Sequence, residues 1–114
     1  MTWTGTWRNQ YGSMLVITDE AAGRVAGSFR TALPDSGFHG REFPILGVHQ
    51  GDCISFAFAG PTAKGDMICS FTGLLRDGQL QTVWYVVADK AVEGDGKRPW
   101  PHAVTANADT FTRR

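Results

Sequence analysis

The sequence lacks a charge imbalance, since its 114 residues carry 11 basic and 11 acidic side chains and a formal net charge of zero. A neutral chain offers no electrostatic attraction to nucleic acid or to an acidic membrane surface. The sequence also lacks an apolar run of the ~20 residues that a spanning helix needs. No segment has the pattern of a signal peptide, an absence that carries no information about a mature form. We therefore expect neither nucleic acid nor a membrane among its partners.

Catalytic motifs are lacking too. The chain has no Gly-x-Ser-x-Gly elbow, no phosphate-binding glycine loop and no recognisable pair of nucleophile and base. The three histidines, His39, His49 and His102, do not have the spacing of metal ligands. Cys69 has no candidate base near it in the sequence and is expected to be a small core residue. The sequence therefore predicts a protein that is not an enzyme and that holds no metal.

Cysteine is scarce, with two residues only, and strand parity argues against a disulfide between them. Ile54 and Phe56 are expected to face a core, which turns Cys53 outward. On the following strand Cys69 shares a face with Phe71 and is expected to point inward. Thiols on opposite faces of a sheet cannot approach closely enough to bridge. We expect two separate thiols, with an intermolecular bridge through Cys53 as the alternative.

Glycine and aromatic residues are abundant, with 14 Gly, 7 Phe, 4 Trp and 2 Tyr. Turn-forming groups recur at the spacing of an antiparallel meander, for example Asp77 followed by Gly78. No segment is a convincing helix, and residues 89–102 are expected to form a long loop that carries Trp100. Eight strands are predicted, at residues 5–11, 13–18, 24–33, 42–49, 53–59, 67–75, 80–88 and 103–112.

A meander of eight antiparallel strands closes most economically into a barrel, because closure removes exposed sheet edges. We therefore predict an all-β fold, an eight-stranded antiparallel up-and-down β-barrel, in which residues 1–114 form a single domain. A barrel of this size is either filled by its own side chains or holds one small ligand. Val83, Tyr85 and Val87 would face outward as an apolar patch, which predicts a homo-oligomer.

The interior that this alternation predicts combines polar groups with aromatic rings. A buried carboxylate or amide is costly unless it is hydrogen-bonded. In one interpretation Asn9, Thr31 and Asp109 satisfy one another at the end of a filled barrel. In the other, the polar groups orient the amide- or urea-like head group of a small ligand between the rings. The inward set comprises Trp7, Asn9, Tyr11, Ser13, Phe29, Thr31, Phe58, Phe71, Trp84 and Asp109.

Five short motifs run through nearly the whole chain in one order. They are GTWRNQYGS at 5–13, GSFRTA at 27–32, FTG at 71–73, TVW at 82–84 and DTFT at 109–112. With these motifs the chain resembles the avidin/streptavidin family. The resemblance implies an eight-stranded barrel, assembled as a tetramer or dimer, that binds biotin without transforming it and needs no cofactor. It also implies a secreted or periplasmic location.

The resemblance assigns roles to individual residues of this chain. Asn9 and Ser13 lie where the family hydrogen-bonds the ureido oxygen of biotin. Asp109 and Thr31 lie where it accepts hydrogen bonds from the two ureido N–H groups. An ionised Asp109 would polarise the ureido group and so strengthen the bonds to its oxygen.

The remaining site residues implied by the resemblance are apolar or aromatic. Phe71 and Trp84 match walls of the hydrophobic box, and Val86 matches an aliphatic neighbour. Tyr11 replaces a residue that is commonly aliphatic. Trp100 lies within one residue of the place where the family supplies a tryptophan from the adjacent subunit.

Four positions depart from the family pattern in ways that are expected to weaken biotin binding. Phe29 replaces a tyrosine that donates to the ureido oxygen, and Phe58 replaces a tryptophan. Cys69 stands near a hydroxyl that contacts the ligand's sulfur, and Met67 replaces a serine that helps hold the carboxylate. The loop at 34–41 has no obvious match. We therefore expect weakened biotin binding, with a different small hydrophobic ligand, or a filled structural or interaction barrel, as alternatives.

Overall fold

The computed structural model describes residues 2–32, 40–62, 65–89 and 104–114, with backbone only at 104 and 105. The predicted count of eight strands is confirmed, although most ends shift by one to three residues. The strands are β1 (Gly5–Asn9), β2 (Met14–Asp19), β3 (Arg24–Arg30), β4 (Glu42–Gln50), β5 (Cys53–Thr62), β6 (Gly65–Arg76), β7 (Gln79–Ala88) and β8 (Val104–Arg113).

The strands form a closed barrel in chain order, each antiparallel to the next. The barrel closes where β1 pairs with β8, with Trp7 opposite Arg113 and Asn9 opposite Phe111. This pairing brings the two ends of the chain together and removes both sheet edges. The predicted eight-stranded antiparallel barrel is therefore confirmed.

Helical structure is limited, within the described ranges, to one 3₁₀ turn at Ala21–Gly23 between β2 and β3. None of the described helical structure is long and apolar enough to cross a membrane. The turn between β6 and β7 is Asp77 and Gly78, both with positive φ, of 52° and 76°. That backbone suits the twist of a tight hairpin, as the sequence indicates for this pair.

One end of the barrel is closed by tryptophan. Trp3, which precedes β1, is buried and accepts a hydrogen bond from Trp7 Nε1 at its carbonyl oxygen, at 2.9 Å. The segment is fastened by Glu20, whose Oε2 accepts from the backbone N–H of Trp3 and from the N–H and hydroxyl of Thr4. These bonds, chiefly the one from the Thr4 hydroxyl, lower the pKa of Glu20 to about 2.

The two cysteines are free and lie on opposite sides of the barrel wall, with Cys53 exposed and Cys69 buried. The predicted separation of the thiols is confirmed. The outward positions of Val83, Tyr85 and Val87 are confirmed as well. The exposed apolar residues on strands β4, β6 and β7 are Leu46, Val48, Ile68, Val83, Tyr85 and Val87.

Candidate functional site

The turn between β1 and β2 fixes the side chain of Asn9. Asn9 Oδ1 accepts from the backbone N–H groups of Tyr11 at 3.0 Å and Ser13 at 2.9 Å. The Asn9 N–H and carbonyl bond in turn to the Ser13 carbonyl and the Gly12 N–H, and Gly12 takes a φ of 88°. A side-chain oxygen held by its own turn leaves the Nδ2 group to point away from it. The turn therefore presents the amide donor of Asn9 to the barrel interior.

Tyr11 is a correction. The alternation along residues 5–11 predicted that it would face inward with Trp7 and Asn9, but its side chain is 50% exposed. The reason is that β1 ends at Asn9, so Tyr11 belongs to the turn and the strand period no longer governs its direction. The inward direction predicted for Tyr11 is therefore wrong.

Asp109 lies opposite this turn, on β8, and both of its carboxylate oxygens accept hydrogen bonds. Oδ2 accepts from Asn9 Nδ2 at 3.1 Å, and Oδ1 accepts from Gln10 Nε2 at 3.3 Å. Gln10 also accepts from the Thr110 N–H at 2.9 Å. Thr82 Oγ1 donates to the Asp109 backbone carbonyl at 3.0 Å. The carboxylate is thus held by Asn9 and Gln10, while Thr82 on β7 holds the backbone of Asp109.

Gln10 and Thr82 were missed by the sequence reasoning. Gln10 is an exposed turn residue whose contact with Asp109 spans 99 positions of the chain. Thr82 lies inside one of the motifs, but a hydroxyl on a strand gives no indication that it bonds a distant carbonyl. Both contacts arise only because β7 pairs with β8 and β8 pairs with β1. The inward parity of Thr82 was the one usable signal.

Ser13 and Thr31 complete a buried polar cluster, named here the polar floor: Asn9, Ser13, Thr31 and Asp109. Ser13 Oγ accepts from the Ala32 N–H at 2.8 Å and lies 3.4 Å from Thr31 Oγ1. All four members are at most 7% exposed. The structure therefore brings together the four polar residues that the sequence singled out.

Besides these contacts, the polar floor can still donate and accept hydrogen bonds. Asn9 Nδ2 carries two hydrogens, one of which is directed to Asp109. Ser13 Oγ accepts from the Ala32 N–H, and its hydrogen can be donated to Thr31 Oγ1 or to a bound ligand. The Asp109 carboxylate offers about four acceptor sites and receives two side-chain bonds. Two donors beside a carboxylate suit a carbonyl group flanked by N–H groups.

Aromatic rings line the interior next to the floor. The centroid of Phe29 lies 5.4 Å from that of Phe58 and 5.3 Å from that of Phe71. Phe43, the partner of Phe29 in the β3–β4 register, also stacks on Phe58, at 5.0 Å. All four rings are buried. The sequence-predicted wall residues Phe29, Phe58 and Phe71 therefore share one cluster, to which the structure adds Phe43.

Three further predicted site residues lie on β6 and β7. Met67 and Cys69 are buried and face inward. Burial, and secondarily the negative charge of Asp109, raise the pKa of the Cys69 thiol to about 12. A thiol with such a pKa stays protonated and unreactive at neutral pH. Val86 is half-buried and lies opposite Cys69 in the β6–β7 register.

Trp84 is half-buried and lies opposite Phe71 in the register of β6 and β7. Its Nε1 atom is buried and has no hydrogen-bond partner among the described residues. Trp100 and residues 34–39 of the expected covering loop lie outside the described ranges. In the described part of the chain, no three His, Cys, Asp or Glu side chains converge as a metal site.

A model of the avidin family matches the chain over residues 1–114. The chain belongs to the avidin family. It is 26% identical to afifavidin from Afifella pfennigii over 115 residues, which cover 96% of this chain and 67% of that protein. It is similar to the structure of core-bradavidin, at 28% identity and a TM-score of 0.75, covering 96% and 97% of the two chains. The fold is also that of rhizavidin in its biotin complex, at 22% identity and a TM-score of 0.78, covering 97% and 91%.

Membership of the avidin family settles two of the expectations that were drawn from the sequence. Avidin family proteins are non-catalytic biotin-binding proteins, so this chain is not an enzyme. Biotin is a bound ligand in the family and not a cofactor. Biotin binding inside the barrel is thereby supported at the level of the family.

Proposed function

We propose that residues 1–114 form a single barrel domain that binds one biotin non-catalytically at its open end. The observation that carries the proposal is the polar floor, in which Asn9 donates to Asp109 at 3.1 Å beside the Ser13 hydroxyl. A buried carboxylate that two amides position is costly to maintain without a use. The ureido group of biotin has the carbonyl oxygen and the N–H groups that match this floor.

In the proposed complex, Asn9 Nδ2 and the Ser13 hydroxyl donate to the ureido oxygen. Asp109 and Thr31 accept from the ureido N–H groups. Because the floor is buried, these bonds form in a low dielectric, where each polarises the next. The closed barrel fixes the partners beforehand, which reduces the ordering cost of binding.

Aromatic residues would enclose the apolar part of the ligand. Phe58, Phe71 and Trp84 serve as walls, with Val86 and Cys69 on neighbouring strands. The partnerless Nε1 of Trp84 is consistent with a side chain whose partner is a bound molecule. Trp100 is the further wall that we propose comes from an adjacent subunit.

We propose a biotin affinity below the family's strongest members. Phe29 lies against Phe58 and Phe71 and brings no hydroxyl to the ureido oxygen. An oxygen left short of one donor costs about 1–3 kcal/mol, and each 1.4 kcal/mol weakens binding about tenfold. Met67 and Cys69 replace hydroxyl groups with sulfur and add to the loss.

We further propose that the protein is a secreted or periplasmic homo-oligomer, a dimer or tetramer. Support comes from the outer face of β4, β6 and β7, where Leu46 is 73%, Ile68 55% and Tyr85 52% exposed. In the register, Ala57 and Ser70 fill the positions between Leu46 and Tyr85. An apolar surface of this extent is typical of subunit contacts, and a second copy of the chain presents the same surface.

A different small hydrophobic ligand is the second candidate. It is favoured by the burial of Phe29, Met67 and Cys69, which makes the wall next to the floor more apolar. A filled structural barrel is the third candidate, since Asn9 and Asp109 already satisfy each other in part.

Equilibrium dialysis with labelled biotin tests the proposal. One biotin retained per chain, displaced by unlabelled biotin and accompanied by a change in tryptophan fluorescence, is the expected result. Retention of a hydrophobic metabolite instead of biotin would establish the second candidate. If neither ligand is retained at millimolar concentration, the third candidate, a filled structural barrel, is supported.

A further inference from the structure

One cation lies at the rim of the barrel on the same side as the buried rings. Arg41 precedes β4 by one residue and has the parity of Phe43, which faces inward and is 4% exposed. Its guanidinium carbon lies 4.9 Å from the centroid of the Phe43 ring. Its Nη1 donates to the backbone carbonyl of Pro61 at the end of β5. Two contacts on different strands therefore hold the guanidinium over the rim.

The rings next to Arg41 form one stacked group, in which Phe29 and Phe43 are direct partners in the β3–β4 register. Phe29 stacks on Phe58 at 5.4 Å with an interplanar angle of 18°, and Phe58 stacks on Phe43 at 5.0 Å and 24°. Arg41 then lies on Phe43. The group lies near Thr31 of the polar floor, which follows Phe29 by two residues, just after the end of β3. A ligand whose head group occupies the floor would extend its tail along these rings.

The stacked group depends on Gly60. A Cβ atom at Gly60 would lie 2.4 Å from Cε1 of Phe43, a distance that no real Cβ adopts. Only a residue without a side chain therefore allows the Phe43 ring to lie against β5. Gly60 pairs with Met67 in the β5–β6 register, and Arg41 donates to the carbonyl of the next residue, Pro61.

The positive charge of Arg41 has no carboxylate partner in the described ranges. The one ion pair there joins Arg30 to Glu42, at 3.3 Å. Asp66 lies opposite Pro61 in the β5–β6 register, yet it makes no ion pair with Arg41. A guanidinium that is fixed by a ring and a carbonyl retains N–H groups in a planar fork, which matches a carboxylate.

We propose that Arg41 binds the carboxylate at the end of the biotin tail and is a specificity-determining residue for the charged ligand. This inference rests on the proposed biotin site. The tail passes Met67, whose thioether cannot donate a hydrogen bond, and its carboxylate meets the guanidinium at the rim. The barrel therefore prefers free biotin to neutral esters and amides of biotin.

A double comparison of ligand and variant tests this role. Wild-type protein, Arg41→Gln and Arg76→Gln are each titrated calorimetrically with biotin and with biotin methyl ester. Arg76 is the matched control, because it is exposed and lies at the end of β6 that is far from the rim. Circular dichroism and the melting temperature of each variant establish that the barrel is folded.

The expected result is a loss of biotin affinity in Arg41→Gln of about fivefold to tenfold, the size of a charge-assisted hydrogen bond in a partly exposed site. Affinity for the methyl ester stays unchanged, and Arg76→Gln binds both ligands as wild type does. Arg41→Lys recovers part of the loss, and the preference for biotin over its ester shrinks as salt increases.

Equal weakening of both ligands by Arg41→Gln would overturn the inference, because it would show that Arg41 only holds Phe43 in place. A wild-type protein that binds biotin and its methyl ester equally would overturn it too, while leaving the biotin site intact. Absence of binding of both ligands to wild type would overturn the proposed function and this inference with it.

Discussion

Asn9 Nδ2 and Asp109 Oδ2 are joined by a hydrogen bond of 3.1 Å, although the two residues are 100 positions apart in the chain. The bond crosses the seam where β1 and β8 close the barrel. Closure of the barrel therefore brings Asp109 to the other three residues of the polar floor. A chain that fails to pair its first and last strands cannot join Asn9 to Asp109.

Phe29→Tyr is predicted to strengthen biotin binding. A tyrosine at this position returns a hydroxyl to the floor, and an oxygen that gains a donor is stabilised by about 1–3 kcal/mol. The dissociation constant should fall roughly fivefold to a hundredfold, as measured by calorimetry. Phe58→Tyr is the control, because the same hydroxyl placed on the neighbouring ring is not expected to reach the ureido oxygen. Weaker binding by Phe29→Tyr would show that the Phe29 site has no room for the added group.

Gln10→Ala is predicted to weaken biotin binding without unfolding the barrel. Gln10 is exposed, and its side chain donates to Asp109 Oδ1 and the Ala108 carbonyl and accepts from the Thr110 N–H. Loss of one positioning bond should cost about 0.5–1.5 kcal/mol, or roughly threefold to tenfold in affinity. Gln79→Ala, an exposed glutamine at the start of β7, should leave affinity unchanged. Equal biotin affinities of the two variants would show that Gln10 does not position Asp109 for binding.

Stability is predicted to fall in acid because of Glu20. Its pKa is lowered from the ordinary 4.5 to about 2, mainly by the hydrogen bond from the Thr4 hydroxyl. A carboxyl whose pKa is lower in the folded protein stabilises it fully above the unfolded value of 4.5. That stabilisation is lost as the pH falls from there through about 2. In thermal melts from pH 6 to 2, Glu20→Gln should lose stability less steeply than wild type.

Glu42→Gln is the control for that experiment, since Glu42 makes only an exposed ion pair with Arg30. Exposed pairs contribute little to stability, so this variant should follow the wild-type curve. A Glu20→Gln curve parallel to wild type would show that the carboxylate does not fasten the segment before β1.

Tyr85→Glu is predicted to dissociate the proposed oligomer. Tyr85 is half exposed and central in the outer apolar face, with Val83 and Val87 beside it. A charge buried between two copies of this face has no partner and is strongly unfavourable. Sedimentation velocity should show smaller assemblies for Tyr85→Glu, whereas Thr18→Glu, on the exposed side of β2, should sediment as wild type. A wild-type protein that sediments as a monomer would contradict the proposal that this surface is a subunit contact.

The fold could be predicted from the sequence because period-2 alternation and turn residues act locally. Asp77 and Gly78, for instance, form the turn that their types favour. The buried positions of Asn9, Ser13, Thr31 and Asp109 were predicted from the alternation along the strands. Tyr11 could not be placed, because the hydrogen bonds of the Asn9 turn end β1 early and interrupt the alternation.

Contacts between residues far apart in the chain could not be predicted from the sequence either. Arg41 and Phe43 follow a loop without recognisable motifs, and their alignment over Phe58 depends on the β4–β5 register and on the missing side chain of Gly60. Gln10 reaches Asp109 only through the β1–β8 seam. Such residues carry no local signal, since each depends on where another strand happens to lie.

The most direct test of the account is a calorimetric titration with biotin of the wild-type protein and of Asp109→Ala. The account predicts saturable binding near one biotin per chain for wild type. In a folded Asp109→Ala the affinity should fall by roughly tenfold to a hundredfold, since a charged hydrogen-bond acceptor is lost. Equal affinities of the two proteins would contradict the claim that the floor around Asp109 binds the ureido group.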